Sequence, residues 1–367
     1  MTNSSDNNQD IGEQLQQQIA EAYSRRQPLT ICGGGSKSFL GLRSNSHEIN
    51  TTQHSGVVSY EPTELVITAR CGTPLSTIRE VLAAHHQMLP FEPPSYGESA
   101  TLGGTMACAL SGPARPYSGA ARDYALGCRM INGQAQTLRF GGEVMKNVAG
   151  YDVTRLMTGA MGTLGLLLDF SLKVLPLAEH EITLAFDTTV DDALQKMQAL
   201  AGQSQPVTAS AFYNGTLYIR LAGAHSAVMA SANRLPGEVL PNTTGATAGF
   251  WEDLREHRLD FFKPAAAPLW RISVPPLTPP LDLSGECFYD WAGMQRWLFS
   301  EDSAGTIRQK AASAGGHAQL FRASDELKAQ TSVTHPPGDQ IMNLHRKIKN
   351  EFDPAGLFNR NRLYADL

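Results

Sequence analysis

The chain has 367 residues, of which 42% are hydrophobic and 18% are charged, and its formal net charge is −5 at pH 7. This composition allows about two domains with sizeable cores and excludes wholesale disorder. A slightly acidic chain without any block of like charges is not typical of nucleic-acid-binding proteins, which carry a basic stripe.

Five widely spaced cysteines are present, without any C-x-x-C pair. They are Cys32, Cys71, Cys108, Cys128 and Cys287. Iron–sulfur and structural zinc sites need clustered thiolates, so we expect no metal site in this chain. Scattered cysteines also favour a reducing, cytoplasmic location. The most apolar run, residues 164–177, is interrupted by charges and proline, so any contact with the inner membrane is expected to come through a partner.

The first third of the chain mixes helices and strands. Residues 11–26 are predicted to form an amphipathic helix, because Ile11, Leu15 and Ile19 return to one face. Leu29–Cys32 is predicted to be a short strand that ends at three glycines. Apolar and β-branched runs predict further strands, and Pro74 begins a helix that reaches about residue 86. These strands are 56–60, 65–70, 128–131 and 136–139.

Residues 91–127 are dense in Gly, Pro, Ser and Ala, and leave little room for regular elements. A long irregular segment in a compact domain is usually functional.

The pattern changes after Pro176, where the glycine-rich loops become rarer. A strand (182–186), a helix (192–200) and another strand (217–221) predict a separate α+β domain. Asp339–Phe352 is predicted to be a final helix. The domain prediction is a disordered tail over 1–10, a first domain over 11–176, an α+β cap over 177–338, and a C-terminal helix and tail over 339–367 that return to the first domain.

The stretch from Cys32 to Ser38 reads CGGGSKS. It does not match the dinucleotide fingerprint, whose third glycine is replaced by Ser38, and no glycine precedes Lys37 at the spacing of an ATP-binding phosphate loop. Glycines after a strand nevertheless expose backbone N–H groups that bind anionic oxygens, and a side chain at Gly34 is expected to obstruct a phosphate. A plain turn is the alternative.

Two further small-residue clusters follow, at residues 100–104 with Ser111 and Gly112, and at residues 159–165. Any one of them could be a turn. Three such clusters, each beside a predicted strand, favour an extended ligand that contacts several loops.

These motifs resemble the FAD-binding domain of the vanillyl-alcohol oxidase (PCMH-type) superfamily. The run GYDVTRLMTGAMGTLG, residues 150–165, is similar to its 2-hydroxyacid dehydrogenase branch, and KNEFDPAGLFNRNRLY, residues 349–364, resembles the closing element of that branch. The length and the C-terminal sequence are most similar to the FAD-binding subunits of bacterial glycolate oxidases. The resemblance implies an α+β fold, with a PCMH-type FAD-binding domain and a smaller α+β cap.

The resemblance also implies a set of FAD contacts. The first glycine loop would hold the pyrophosphate, the second and third clusters would pack against the cofactor, and Asn359 would lie near the isoalloxazine. The implied FAD-binding residues are Gly33, Gly34, Gly35, Ser36, Lys37, Ser38, Thr101, Gly103, Gly104, Ser111, Gly112, Gly162, Gly165, Leu166 and Asn359.

Covalent flavin attachment in this superfamily uses a His in the first glycine loop, or a Cys or His elsewhere. Here that loop reads Ser36-Lys37-Ser38, so non-covalent FAD is expected. Lys37 could supply a cation near the phosphates or be a solvated surface lysine.

Two departures from the family pattern bear on function. Catalytic members carry a G-H-x-G-D-x-N-x-H cluster, of which only Gly316 and His317 remain here, followed by Arg322. His317 as a base and Arg322 as a carboxylate-binding cation are weak catalytic candidates. Asn359 begins an N-R-N-R run where N-P-G-R is usual, which changes the turn chemistry.

The favoured interpretation is an FAD-binding redox subunit of a complex that oxidises glycolate to glyoxylate. By resemblance its partners would be a catalytic flavoprotein subunit and an iron–sulfur subunit. Two alternatives remain open: an autonomous FAD-dependent 2-hydroxyacid dehydrogenase, similar to D-lactate dehydrogenases, and a structural subunit with a vestigial flavin site.

Overall fold

A computed structural model describes residues 8–42, 46–142, 152–240, 249–263, 266–365 and 367. The strands of these residues are β1 (Leu29–Cys32), β2 (His47–Asn50), β3 (Val57–Glu61), β4 (Val66–Arg70), β5 (Gln87–Met88), β6 (Ala125–Ile131), β7 (Thr137–Gly141), β8 (Leu166–Lys173), β9 (Leu175–Pro176), β10 (His180–Asp187), β11 (Val207–Tyr213), β12 (Thr216–Gly223), β13 (Glu238–Leu240), β14 (Leu269–Ser273), β15 (Glu286–Asp290), β16 (Gln295–Phe299) and β17 (His317–Arg322).

The α-helices of the same residues are α1 (Gly12–Arg25), α2 (Leu75–Ala83), α3 (Leu102–Cys108), α4 (Arg115–Ser118), α5 (Val153–Met157), α6 (Val190–Ala201), α7 (His225–Ala232), α8 (Phe250–Glu256), α9 (Ala304–Ser313), α10 (Asp325–Gln330) and α11 (Asp339–Phe352). Short 3₁₀ helices lie at Ala121–Tyr124 and Asp260–Phe262.

The chain divides into two compact units. Unit 1 contains residues 1–110, 120–176 and 336–367, and unit 2 contains residues 111–119 and 177–335. The predicted first domain includes residues 111–119, whereas the structure groups them with unit 2. The predicted domain boundaries themselves stay a prediction.

Among the described residues, unit 1 contains a five-stranded antiparallel sheet in the order β3-β4-β8-β6-β7. A separate parallel pair, β1 with β2, packs against α1, whose Leu15 and Ile19 are fully buried beside Leu29 and Phe358. The predicted periodicity of α1 is therefore confirmed. The backbone of Leu29 also pairs with Phe358, so the C-terminal tail extends this small sheet.

Unit 2 is built on an eight-stranded sheet of its described residues, in the order β13-β10-β12-β11-β15-β16-β14-β17. The pairs are antiparallel, and α6 and α9 bury their apolar faces in two cores of this unit. Trp291 and Trp297 are 4% and 5% exposed and belong to the interior of the unit.

The prediction for residues 91–127 was wrong in one respect, because α3 and α4 lie in this segment. Gly103 and Gly104 lower the intrinsic helix propensity of α3. The helix forms because the Thr101 side chain accepts a hydrogen bond from the Gly104 amide, and because Leu102 and Met106 are buried.

Candidate functional site

A cleft of about 1030 Å³, including space open to solvent, lies in unit 1 beyond the end of β1. Its described lining combines the glycine loop, α3, the loop before β8 and the C-terminal tail. The lining residues are Thr30, Ile31, Cys32, Gly33, Gly34, Gly35, Ser36, Lys37, Ser38, Thr51, Cys71, Thr101, Gly103, Gly104, Ala107, Cys108, Met161, Gly162, Gly165, Leu167, Asn359, Arg360 and Arg362.

The three glycines that follow β1 have different surroundings. A Cβ atom on Gly33 would lie 2.6 Å from Thr101 Oγ1, and one on Gly34 would lie 1.4 Å from the backbone oxygen of Ser99. A Cβ atom on Gly35 would meet nothing within 4 Å, although its φ of +71° is unfavourable for other residues. A side chain at Gly34 would therefore collide with the protein backbone rather than obstruct a phosphate.

The glycine loop presents backbone donors. The Ser38 amide donates to Gly35 O at 2.9 Å, which closes a turn. Among the residues that the structure describes, no acceptor pairs with the amides of Gly34, Gly35 and Ser36. Successive amides in a turn form an anion-binding concavity, so the loop suits a phosphate.

Lys37 is buried, at 6% exposure, and is not a solvated surface lysine. Its Nζ donates to Ser95 O at 3.2 Å and to Ser36 Oγ at 3.4 Å. This positive charge therefore lies in the wall of the cleft.

The second cluster brings backbone close to backbone. The Gly103 amide donates to Cys71 O at 2.7 Å, and a Cβ atom on Gly103 would lie 2.9 Å from that oxygen. Gly104 has open space apart from its contact with Thr101. A glycine is therefore needed at position 103 for the close approach of α3 to Cys71.

The third cluster is held by the C-terminal tail. A Cβ atom on Gly162, whose φ is +70°, would lie 2.6 Å from Asn359 Nδ2. Gly165 packs against β6, where its Cβ would lie 2.7 Å from Ile131 O. Leu166 does not line the cleft: its side chain is fully buried in the core beside α1, and Leu167 lines the cleft instead.

Two arginines that were not among the predicted FAD-binding residues, Arg360 and Arg362, also line the cleft. Arg362 donates to Leu42 O at 3.1 Å and to the carbonyls of Lys37 and Ser38 at 3.4 Å. Both belong to the N-R-N-R run, so the signal was present in the sequence.

The described lining of the cleft is cationic. Lys37, Arg360 and Arg362 line it, and no Asp, Glu or His is found among the lining residues that the structure describes. Such a wall favours phosphate groups, because each cation interacts favourably with anionic oxygens at short range.

Three thiols also line the cleft, those of Cys32, Cys71 and Cys108. Burial raises the pKa of each of them, and the charges of Lys37 and Arg362 only partly offset this for Cys108. They are therefore neutral thiols at neutral pH, and the thiolate is the nucleophilic form.

Ser111 and Gly112 do not line this cleft and belong to unit 2. There the carbonyl oxygen of Gly112 accepts a hydrogen bond of 2.9 Å from the Trp291 indole, and the Arg115 guanidinium lies 4.4 Å from the centre of that ring. Their predicted contact with FAD stays a prediction.

His317 and Arg322 lie at opposite ends of β17 and have different neighbours. Burial lowers the pKa of His317, and Arg271, His335 and Arg115 lower it further. The Arg322 guanidinium instead lies over the Phe321 ring, and its charge helps to lower the pKa of His257. Five strand steps separate the two backbones by about 16 Å. The structure therefore does not bring them together around one small hydroxyacid.

Among the described residues, no group of three or more His, Cys, Asp or Glu side chains could hold a metal ion. In the same residues no helix is long and apolar enough to cross a bilayer. All five cysteines are described and none forms a disulfide.

The chain is similar to known FAD-binding proteins and to glycolate oxidase subunits. A family model described as an FAD binding domain matches residues 12–141. The chain is 43% identical to glycolate oxidase subunit GlcE of Escherichia coli, over 98% of this chain and 99% of that protein. It is 29% identical to glycolate oxidase subunit GlcD of Bacillus subtilis, over 52% of this chain and 39% of that protein.

The fold also resembles that of a solved structure of alkyldihydroxyacetonephosphate synthase. The TM-score is 0.66 at 15% identity, and the match covers 94% of this chain and 73% of that one. The expected PCMH-type α+β fold is therefore confirmed.

Proposed function

Because this chain belongs to the family of glycolate oxidase subunit GlcE, we propose that it is the FAD-binding redox subunit of a complex that oxidises glycolate to glyoxylate. The observation that supports this most is the cleft of unit 1, whose described walls combine glycine backbone, unpaired amides and cations without any carboxylate. A flavin bound there supplies a two-electron acceptor.

The residues of the cleft fit FAD in separate ways. The amides of Gly34, Gly35 and Ser36, with Lys37 beside them, would hold the pyrophosphate oxygens. Gly104 leaves open space in which the flat cofactor can approach the backbone of α3, and Gly162 leaves room for the amide of Asn359.

Non-covalent binding is part of the proposal. The described lining of the cleft contains no histidine, and its three thiols have raised pKa values that disfavour attack on a flavin.

The separation of His317 from Arg322 supports an electron-transfer role over autonomous dehydrogenation. A hydroxyacid oxidation needs a base for the hydroxyl proton and a cation for the carboxylate within reach of one substrate. The primary dehydrogenation would then belong to a catalytic flavoprotein partner, and an iron–sulfur partner would carry electrons onward. The site of action would be the cytoplasm, with any contact with the inner membrane made through these partners.

Anaerobic reduction tests the proposal. The purified chain is reconstituted with FAD, its visible spectrum is recorded, and glycolate or D-lactate is added without oxygen. We expect a flavin spectrum, release of the flavin on acid precipitation, and no bleaching by either hydroxyacid. Bleaching by the isolated chain would establish the autonomous dehydrogenase, whereas a chain that does not bind FAD would establish a vestigial site. Co-purification with an iron–sulfur protein and a second flavoprotein is the expected result in the native complex.

A further inference from the structure

The end of α11 contains a buried lysine that touches three separate segments of unit 1. Lys349 Nζ donates to Thr163 O at 2.6 Å, to Asp353 Oδ2 at 2.7 Å and to Phe358 O at 3.0 Å. Its side chain is 10% exposed. One ammonium group therefore joins the last helix, the third small-residue cluster and the C-terminal tail.

The partner carboxylate is buried completely and fixes the same tail. Asp353 Oδ1 accepts from the Leu357 amide and Oδ2 from the Phe358 amide, each at 2.8 Å. Burial lowers the pKa of Lys349, and the charge of Asp353 opposes that effect. Phe358 is thus held at its amide by Asp353 and at its carbonyl by Lys349.

The residue that follows, Asn359, lines the cleft. Its Oδ1 accepts from the Ile31 amide at 2.8 Å, and its Nδ2 donates to Met161 O at 2.7 Å. Its φ is +41°, in the sparsely populated left-handed region. The backbone position of Asn359 is therefore determined on one side by the buried pair and on the other by β1.

Stability alone is a poor explanation for such a pair. Desolvation of two charges often cancels their attraction, so buried ion pairs of this kind can be replaced by apolar residues without loss of stability. Here both charges are directed at backbone groups of the tail and of the 159–165 loop, two of the walls of the cleft.

We propose that Lys349 and Asp353 are positioning residues that hold the C-terminal tail and the 159–165 loop in the geometry that FAD binding requires. Both lie outside the segment matched by the FAD-binding family model, which ends at residue 141. The proposal rests on the proposed binding of FAD in this cleft.

Lys349→Met tests the proposal, with Lys347→Met as the matched control. Lys347 is exposed and lies on the same helix, so both variants lose one lysine of α11. We expect Lys349→Met to weaken FAD affinity at least tenfold and to speed FAD release, and Lys347→Met to leave both within twofold. Hydrogen exchange of residues 357–362 in the FAD-free chain is expected to accelerate in Lys349→Met alone.

A double-mutant cycle with Asn359→Ala separates positioning from general stability. If Lys349 acts through Asn359, the double variant should lose little more FAD affinity than Asn359→Ala alone. Additive losses, or unchanged exchange in residues 357–362, would overturn the proposal. Should Lys349→Met fail to fold, Asp353→Asn gives the same comparison. A wild-type chain that binds no FAD would refute the proposed function. The hydrogen-exchange measurement would still test whether Lys349 holds the C-terminal tail through Phe358.

Discussion

The two units use their buried polar side chains differently. In unit 1, Lys37, Lys349 and Asp353 are directed at backbone groups of loops that surround one cleft. In unit 2, Asp290 and Arg296 are buried within the sheet, where Asp290 accepts hydrogen bonds from Trp291 and Gln295 and Arg296 donates to the 278–279 backbone. Polar groups thus shape a binding cleft in one unit and hold strand connections in the other.

This difference supports the proposal that unit 1 binds the flavin. The cleft of unit 1 has anion-binding features, and the candidate base and cation of unit 2 lie apart on β17. Substitutions in the two units should therefore have separable effects on FAD binding and on stability.

The largest effect is expected from Gly34→Ala. Its Cβ atom would lie 1.4 Å from Ser99 O, and backbone cannot move aside as a flexible side chain does. We expect a loss of about 3 kcal/mol in the free energy of unfolding and a loss of FAD affinity of about tenfold or more, measured by urea denaturation and by flavin titration.

Gly35→Ala is the matched control for that variant. The position has open space but a positive φ, so we expect a stability cost of only about 1 kcal/mol. Equal effects of the two substitutions would mean that the loop geometry described for unit 1 is incorrect.

A pH effect on stability, and not on FAD binding, is expected in unit 2. Burial raises the pKa of Asp290 to about 7, although hydrogen bonds from Trp291 and Gln295 oppose the shift. The pKa of Asp290 is higher in the folded protein than in the unfolded chain. Its contribution to the free energy of unfolding is therefore fully present below about pH 4 and is lost as the pH rises through about 7. The free energy of unfolding should fall by at most about 1.4 kcal/mol per pH unit in this window.

Asp290→Asn measures this contribution directly. The variant should be more stable than the wild type at pH 8, and this advantage should shrink as the pH falls below 7 and disappear toward pH 4. All four tryptophans belong to unit 2, so their fluorescence during urea unfolding reports on this unit. A difference in the free energy of unfolding between Asp290→Asn and wild type that does not change with pH would contradict the raised pKa of Asp290.

Much of the cleft could be predicted from local sequence. Glycines that follow a strand predicted exposed backbone amides, which the structure has at Gly34, Gly35 and Ser36, and the strand itself was predicted with the bounds found for β1. Periodicity likewise predicted α11 over Asp339–Phe352. The glycine loop, β1 and α11 could be predicted because each depends on residues that are close together in the sequence.

The remainder depends on contacts between distant residues. Helix α3 was missed because its stability comes from buried Leu102 and Met106 rather than from its glycines. Lys349 resembles any helix-surface lysine until Thr163 and Phe358 are placed beside it. The collision expected for a side chain at Gly34 likewise depends on the position of Ser99, which is 65 positions further along the chain.

A smaller effect is expected from thiol chemistry in the cleft. Burial raises the pKa of Cys32 and Cys108, so alkylation by iodoacetamide at pH 7.5 should be slow. Bound FAD should slow it several-fold further. Cys287 is the control in unit 2: burial raises its pKa to about 11, and its labelling should not respond to FAD. Site-resolved mass spectrometry measures all three, and equal protection of Cys287 would contradict the placement of FAD in unit 1.

The smallest effect is expected from His317→Gln in the assembled complex. His317 is exposed at the end of β17 away from Arg322, and the charges of Arg271 and His335 help to lower its pKa. If primary dehydrogenation belongs to another subunit, the rate of flavin reduction by glycolate should stay within about twofold of wild type, a change below about 0.5 kcal/mol. Stopped-flow absorbance without oxygen measures this rate. A loss of two orders of magnitude with unchanged FAD content would place the catalytic base in unit 2 and reverse the contrast between the units.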